Sequence, residues 1–207
     1  VEERQEDKTI NDFSIPSQTE IIGPMVEIRS VGVMKDHEPV RITLPTPITV
    51  RKKQRLLLKG PNGIGKSAFL ENLTGAPDGK GDGFIIAPEV RVGYYKQDFS
   101  NFDFEQKAFD VLQAAMRLFD EHTLRSTAAG FLLDGKLLDK PIKALSEGQK
   151  GLLSFCRLML FQPGLLILDE PTNHINFRHL PIIAKALDSY EGAMIMVSHV
   201  PDFVQQI

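Results

Sequence analysis

The chain has 207 residues, of which 42% are hydrophobic and 25% are charged. This composition is ordinary for a soluble globular protein and is sufficient for one domain with a short tail. The net charge of -3 argues against the strongly basic surface of a protein that grips nucleic acid unaided, although it leaves room for a local basic patch.

A single cysteine, Cys156, excludes an internal disulfide framework and favours a reducing compartment. It lies in an apolar helical pattern, which predicts a small core residue. No apolar run approaches the roughly 20 residues that span a bilayer, and no secretory signal stands at the start, so we predict a cytoplasmic protein without a membrane span. Because the chain begins with Val1 and ends soon after an apolar segment, we expect a part of a longer protein that lacks later elements at its C-terminus.

The N-terminal stretch is charged and polar. Residues 1–8 are mostly charged, and a polar, proline-containing stretch follows as far as Gln18, with too little apolar content for a core of its own. We predict that residues 1–20 are the end of an interdomain linker and that residues 21–207 form one domain. Short β-type pieces punctuated by Gly and Pro then predict a small antiparallel sheet. These pieces are Val26–Ile28, Val40–Leu44 and Ile48–Val50.

The stretch from residue 60 to residue 67 fits the phosphate-binding pattern GxxxxGK[ST]. Its residues are Gly60, Pro61, Asn62, Gly63, Ile64, Gly65, Lys66 and Ser67. Leu56–Leu58 precede it as a buried strand would, and the residues up to Thr74 follow with helical spacing. Glycines let backbone N–H groups approach phosphates, and the helix N-terminus adds partial positive charge. We predict that Lys66 reaches the outer phosphates of a nucleotide and that the Ser67 hydroxyl binds Mg²⁺, the alternative being a glycine-rich turn with an exposed lysine.

The middle of the chain changes from strand to helix patterns. Phe84–Ile86 and Val90–Tyr95 predict two strands, and the second runs towards Gln97, which we place at its end. A helical insertion is predicted between about residues 104 and 138, within a helical subdomain of about residues 103–160. The predicted apolar faces are Phe109, Leu112, Met116 and Phe119 on one side, and Leu124, Ala128, Phe131 and Leu132 on the other.

The last third of the chain alternates helices with buried strands. Ser146 and Gln149 have the spacing of a capping box, which predicts the start of a long helix ending near Pro163. Leu165–Leu168 is a continuous aliphatic run of the kind found in a parallel strand covered on both faces. A further helix is predicted around Leu180, Ile183, Ala184 and Leu187, and a buried strand at Met194–Val197. The alternation implies an α/β fold with a mostly parallel sheet.

Two acidic residues, Asp169 and Glu170, follow the aliphatic run directly. The carboxyl ends of strands are where ligands bind in open α/β sheets. Asp169 is placed to bind Mg²⁺, directly or through water, and Glu170 to orient or deprotonate an attacking water. The alternative, a solvated acidic turn, is disfavoured by the aliphatic strand and the upstream glycine loop. Gln97 and His199 are weak signals when taken alone.

Five segments, in order and spacing, resemble the ATP-binding cassette (ABC) family. They are the loop of residues 60–67, YYKQ ending in Gln97, LSEGQK from Leu145, LLILDEPTNH from Leu165, and SH ending in His199. The resemblance runs from about residue 25 to the C-terminus. It implies a P-loop NTPase of ABC type, with a mostly parallel sheet, an antiparallel β subdomain and a helical subdomain, that binds ATP and Mg²⁺ and hydrolyses the nucleotide.

The same resemblance implies further roles. Ser146, Gly148 and Gln149 form the signature segment, which in the family contacts the nucleotide bound to the opposing cassette. Gln97 is implied to sense Mg²⁺ and the γ-phosphate, and His199 to contact the γ-phosphate. Hydrolysis is therefore expected to need a partner cassette.

The PTNH after Glu170 resembles the ABC-F branch, soluble proteins with two cassettes on one chain. The opening EDKTI is similar to the end of their interdomain linker, and FLLDGKLLDKPIKALSEGQK is similar to their second cassette. The resemblance implies the C-terminal cassette of an ABC-F protein, whose partners are an N-terminal cassette of the same full-length chain, or a second copy, and the ribosome with its rRNA. The implied process is translation or resistance to ribosome-targeting antibiotics.

Three positions depart from the family pattern. Glu147 stands where glycine is usual, so its carboxylate must point away from an opposing γ-phosphate or weaken that site. Asn176 replaces the usual aspartate after PTNH. No aromatic residue precedes the glycine loop where the family stacks adenine, and Met34 or His37 lies nearest.

Two other functions remain open at this point. One is the energising cassette of a membrane transporter, which would use the same residues but dock on a membrane subunit. The other is a nucleotide-gated binding module with little hydrolysis, which Glu147 and Asn176 favour. A DNA-repair cassette is disfavoured, because the segment between Gln97 and Ser146 leaves no room for a long coiled coil.

Overall fold

The computed structural model describes residues 8–207, with residue 77 described for its backbone alone. Residues 1–7 of the predicted linker lie outside the described range. Within that range the strands form two four-stranded sheets, with the longer helices packed on the second.

The first sheet is antiparallel, as predicted. Its strands are β1 (Val26–Lys35), β2 (Glu38–Val50), β4 (Lys80–Gly81) and β5 (Phe84–Ile86), in the order β2-β1-β5-β4. Two predicted pieces, at residues 40–44 and 48–50, belong to the single strand β2. Pro45 and Pro47 interrupted the pattern, but β2 lies at the edge of the sheet, where a residue without an N–H group is tolerated.

The second sheet is parallel. Its strands are β3 (Arg55–Leu57), β6 (Val92–Tyr95), β7 (Leu165–Asp169) and β8 (Ala193–Val197), in the order β3-β8-β7-β6. The central strands β7 and β8 are buried along their whole length, which confirms the prediction from their aliphatic runs. A strand was correctly predicted near residues 56–58, but its predicted burial was wrong. β3 lies at the edge of the sheet and is only half-buried.

The helices follow the predicted order. They are α1 (Lys66–Gly75), α2 (Ala108–Ala115), α3 (Glu121–Gly130), α4 (Gly135–Leu138), α5 (Glu147–Phe161), α6 (Leu180–Asp188) and α7 (Pro201–Val204). The predicted apolar face through Phe119 was wrong, because Met116 is extended and Asp120 caps a new helix by accepting from the Thr123 amide. Leu132 also lies beyond its predicted helix, with φ of 60°.

The apolar core consists of two clusters on opposite faces of the parallel sheet. Alternate residues of β7 divide between them: Leu166 and Leu168 face the longer helices, while Leu165 and Ile167 face α1 and the antiparallel sheet. Cys156 is fully buried on the helical side, as predicted, and burial raises the pKa of its thiol.

The N-terminal segment contributes to this core. Residues 8–20 contain no helix or strand, but Ile10 and Ile15 are buried in the helical cluster, and Phe13 packs against it. The segment therefore has no core of its own, as expected, yet it packs along the domain. The domain boundary at residue 20 stays a prediction.

Candidate nucleotide-binding site

The glycine loop leads from β3 into α1 and leaves the N-terminus of this helix open. Gly63 and Gly65 have φ of 79° and 108°, values that glycine adopts without strain. Gly65 is the N-cap, no side chain caps the helix, and its first turn contains no acidic residue. The first backbone N–H groups of α1 therefore have no side-chain acceptor, which is the arrangement that binds anions.

Lys66 lies inside the curve of this loop. Its Nζ donates hydrogen bonds to the carbonyl oxygens of Gly60 at 2.7 Å and Pro61 at 3.0 Å. The ammonium group is thus held on the concave side of the loop, where it can exchange carbonyl oxygens for phosphate oxygens.

The antiparallel sheet supports the loop from one side. The backbone amide of Met34 on β1 donates to the carbonyl of Ile64 at 2.9 Å. A Cβ atom at Gly65 would lie 3.4 Å from the carbonyl oxygen of Gly32. The contact with β1 therefore fixes the loop and places Met34 beside it.

An open cavity of about 690 Å³ lies against the loop and the ends of the strands. It is lined by Met34, Asn62, Gly63, Gly65, Lys66, Ser67, Ala68, Gln97, Asp169, Glu170, Asn173, Val197 and His199. The fold therefore brings the predicted metal and catalytic residues together with most of the phosphate loop, although three loop residues do not line the cavity: Gly60, Pro61 and Ile64. Of the two candidates for the base, Met34 lines the cavity and His37 does not.

Asp169 ends β7 at the floor of the cavity, and only 2% of its surface is exposed. Burial raises the pKa of its carboxyl group, and a hydrogen bond from Ser67 opposes that shift. Among the described residues, its Oδ1 atom has no hydrogen-bond partner. A buried carboxylate oxygen without a partner, beside a hydroxyl group and an anion site, fits Mg²⁺, which takes few protein ligands.

Glu170 follows in a left-handed conformation, with φ of 50°, and its backbone amide donates to the Val197 carbonyl at 2.9 Å. Its Oε2 accepts from the His199 amide at 3.2 Å, and its Oε1 lies 3.3 Å from His199 Nε2. Burial raises the pKa of the Glu170 carboxyl group, and the hydrogen bond from His199 opposes that shift. The strained turn thus places a buried carboxylate of raised basicity at the cavity wall.

Gln97 lies in the turn after β6, exposed at the edge of the cavity. Its neighbour Lys96 pairs with Glu71 on α1 at 2.7 Å, an interaction that raises the pKa of Lys96. Asn101 donates to the Tyr94 carbonyl at 3.1 Å and closes the same turn. Contacts on both sides therefore hold Gln97 at the cavity.

The residues of the LSEGQK segment lie apart from this cavity, and none of them lines it. Ser146 and Gln149 form the predicted capping box of α5. The backbone amide of Gln149 donates to Ser146 Oγ at 3.1 Å, and the backbone amide of Ser146 donates to Gln149 Oε1 at 2.9 Å. Glu147 pairs with Lys150 at 2.7 Å. The carboxylate is thus turned along its own helix.

One residue of the loop after Glu170, Asn173, was not predicted as a site residue. Asn173 lines the cavity, and its amide donates to the Glu170 carbonyl at 3.1 Å. Its place in the PTNH segment was the available signal. Asn176, which replaces the usual aspartate of the family, caps the 3-10 turn at residues 177–179 by accepting from the Arg178 backbone amide at 3.2 Å.

Comparison with known proteins identifies the family. Residues 45–173 match the profile of the ABC transporter family. The probable ATP-binding protein YbiT of Escherichia coli O157:H7 is 35% identical over 156 residues, covering 74% of this chain and 29% of the relative. ATP-binding cassette sub-family F member 2 of Mus musculus is 32% identical over 210 residues, covering 97% of this chain and 32% of the relative. The chain thus spans about a third of the length of these relatives.

Solved structures show the same fold. A putative cobalt transport ATP-binding protein, cbiO-2 (ST1066), superposes with a TM-score of 0.66 at 18% identity, covering 88% of this chain and 73% of that one. This match confirms the predicted α/β fold of ABC type. Among the described helices, none is long and apolar enough to cross a membrane. With 129 of its residues matching the family profile, the chain belongs to the ATP-binding cassette family of ATPases, and its relatives include members of the F subfamily.

Proposed function

We propose that the chain is the ATP-hydrolysing C-terminal cassette of a two-cassette ABC-F protein that acts on the ribosome. The observation that carries the proposal of hydrolysis is the pair of buried carboxylates, Asp169 and Glu170, across the cavity from the open N-terminus of α1. The assignment to the F subfamily is supported by the PTNH segment and by relatives of that subfamily. The domain bounds of 21–207 and the helical subdomain of about 103–160 belong to the same proposal.

The loop supplies the phosphate site. Backbone N–H groups from residues 60–67 and the ammonium group of Lys66 bind the phosphates. Ser67, Asp169 and Gln97 would hold Mg²⁺, which would supply positive charge against the outer phosphates of the nucleotide. Among the described residues, Asp169 Oδ1 has no hydrogen-bond partner, which supports this set of ligands.

Glu170 accepts the proton of the attacking water. Its Oε1 is buried and has no hydrogen-bond partner among residues 8–207, so it is available for that proton. The raised pKa makes the carboxylate a better base than an exposed glutamate. His199 holds Oε2 through its backbone amide, and its half-exposed ring, whose Nε2 lies 3.3 Å from Oε1, turns to the γ-phosphate when nucleotide binds.

Turnover requires a second cassette. Ser146, Gly148 and Gln149 lie away from the cavity that holds Lys66 and Glu170, so one cassette carries two incomplete half-sites. The N-terminal cassette of the same full-length chain completes them, or a second copy does so for the isolated domain. We expect the isolated chain to bind nucleotide and to hydrolyse it slowly.

A nucleotide-gated binding module is the second candidate, and Glu147 favours it. This carboxylate lies in the first turn of α5, where glycine is usual in the family, and its pairing with Lys150 at 2.7 Å reduces but does not remove its charge near an incoming phosphate. Steady hydrolysis by the intact protein would exclude this candidate.

Co-sedimentation tests the proposed function. The full-length protein carrying Glu170→Gln is centrifuged with ribosomes in ATP and, separately, in ADP. Pelleting in ATP alone supports a ribosomal target and makes hydrolysis the step that releases it. No pelleting in either nucleotide, with ATP binding shown in the same preparation, contradicts the ribosomal target.

A further inference from the structure

The N-terminal segment from residue 10 to residue 18, here called the strap, crosses from the helical layer to the base of the parallel sheet. At its first end, the Asn11 amide donates to the carbonyl of Gly130 at the end of α3, at 2.9 Å. The ring of Phe13 lies 4.7 Å from that of Phe131 and 6.3 Å from that of Phe155 on α5. This end of the strap is therefore packed against two helices of the helical layer.

The other end of the strap is fixed by Gln18, a polar residue with 3% of its surface exposed. Its Nε2 donates to the Glu89 carbonyl at 2.8 Å, and its Oε1 accepts from the Arg91 amide at 2.8 Å. Its backbone amide donates to the Pro163 carbonyl at 3.3 Å. A buried side-chain amide that satisfies backbone groups in this way is costly to replace.

Gln18 bonds to the residues that lead into two strands of the site. Arg91 precedes β6 directly, and Pro163 lies two residues before β7. At their other ends, these strands lead to Gln97 and to Asp169. β6 and β7 are paired along their length, so the base that Gln18 contacts is continuous with the strand ends at the cavity.

Gly164 provides an independent sign of the same contact. A Cβ atom built on it would lie 2.8 Å from Gln18 Oε1, and its three nearest atoms all belong to Gln18. Its φ lies outside the left-handed region, so alanine is otherwise acceptable there. The contact that a Cβ atom at this position would strain first is therefore the one with Gln18.

We infer that the strap joins the helical layer to the base of β6 and β7, and that Gln18 is a positioning residue for the hydrolytic site. The inference rests on the proposed ATPase function.

The test is a double-mutant cycle in the full-length protein. It uses Gln18→Ala, Gly164→Ala and the pair, with Ile22→Ala as the control, because Ile22 is 95% exposed and lies close by in sequence. Each variant is measured for ATP affinity, for kcat and for peptide-level hydrogen exchange. The two single substitutions break one contact from opposite sides, so their effects should not add.

We expect both single variants to exchange about tenfold faster in α3 and at the start of β6 and β7, with α1 unchanged. ATP affinity should stay within about twofold, because no cavity residue is altered, while kcat falls about tenfold as the strand ends lose their alignment. The double variant should match either single variant. Ile22→Ala should behave as the parent.

Three results would overturn the inference. The first is an equal rise of hydrogen exchange in every element, which would mean a purely structural role for Gln18. The second is additive effects of the two substitutions. The third is an unchanged kcat in both single variants. Failure of the proposed function is separate: a parent protein that neither binds nor hydrolyses ATP refutes that function, while the exchange pattern still tests the strap.

Discussion

The backbone amide of His199 donates to Glu170 Oε2 at 3.2 Å, and the ring Nε2 of His199 lies 3.3 Å from Glu170 Oε1. The two residues follow adjacent parallel strands, so the sheet sets their separation. This pairing orients a carboxylate that burial has made more basic.

Replacing Glu170 with Gln should stop hydrolysis and keep ATP binding. The amide is nearly isosteric but cannot accept a proton from water, and loss of a general base costs about 10²- to 10⁴-fold in rate. Phosphate release by the intact protein measures kcat, and a fluorescent ATP titration measures affinity. Glu191→Gln is the matched control, because Glu191 is exposed and pairs with Lys53 away from the cavity. Equal turnover in mutant and parent would remove Glu170 from this role.

Hydrolysis should lose activity at acidic pH, with its midpoint above the pKa of an ordinary glutamate. Burial raises the pKa of Glu170, and the carboxylate must be ionised to accept a proton. A profile of kcat against pH tests this, with ATP binding followed at each pH. A midpoint at or below about 4.3, the ordinary value for glutamate, contradicts the assigned environment.

Stability should show the opposite trend in the same range. The pKa values of Asp169 and Glu170 are both raised in the folded chain, so the folded state binds more protons than the unfolded state above the ordinary carboxyl range. Their contribution is therefore complete at low pH and is lost as pH rises through the raised values. Urea unfolding of parent and Glu170→Gln from about pH 4 upward tests this, and the variant should lose less stability with rising pH.

Replacing Lys66 with Ala should weaken nucleotide binding itself. The ammonium group lies inside the glycine loop, and one charge-assisted contact contributes about 1.5 to 3 kcal/mol, or roughly tenfold to a hundredfold in Kd. Titration with ATP and Mg²⁺ gives the constant. Lys143→Ala is the control, because Lys143 pairs with Glu105 on the surface. An unchanged affinity for the Lys66 variant would place the phosphates elsewhere.

Replacing Ser146 with Ala should lower the free energy of unfolding and leave the ATP affinity of the chain unchanged. The loss of an N-cap costs about 1 kcal/mol, which chemical unfolding measures. Because Ser146 does not line the cavity, ATP affinity of the chain should stay unchanged, while turnover by the intact two-cassette protein should fall. A fall in affinity would show that α5 contributes to the cavity of its own cassette.

Replacing Glu147 with Gly should strengthen ATP-dependent pairing of cassettes. The substitution removes a carboxylate from the first turn of α5 and frees Lys150 from its 2.7 Å ion pair. Since the pair is partly exposed, we expect about a tenfold change in the dimerisation constant rather than the full Coulomb energy. Analytical ultracentrifugation in ATP tests this in a Glu170→Gln background, and weaker pairing would refute it.

Residues close together in the chain were enough to predict the local structures and the chemical groups of the site. The glycine loop, the capping box at Ser146 and the buried strand ending in Asp169 each depend on residues close together in the chain. Their signals come from backbone geometry and from periodicity, which neighbouring residues set almost alone. The order of the five family segments was sufficient to identify the family and its fold.

Features that depend on contacts between distant residues could be seen only in the folded structure. The position of β3 at the sheet edge and the union of two pieces into β2 depend on which strands pair. The strap was expected to lack a core of its own, and its Ile10 and Gln18 are buried by helices and strands far along the sequence. The raised pKa of Glu170 likewise follows from burial, and the residue that opposes this shift, His199, lies 29 residues away. Burial and long-range hydrogen bonds arise when distant segments meet, so local patterns carry little information about them.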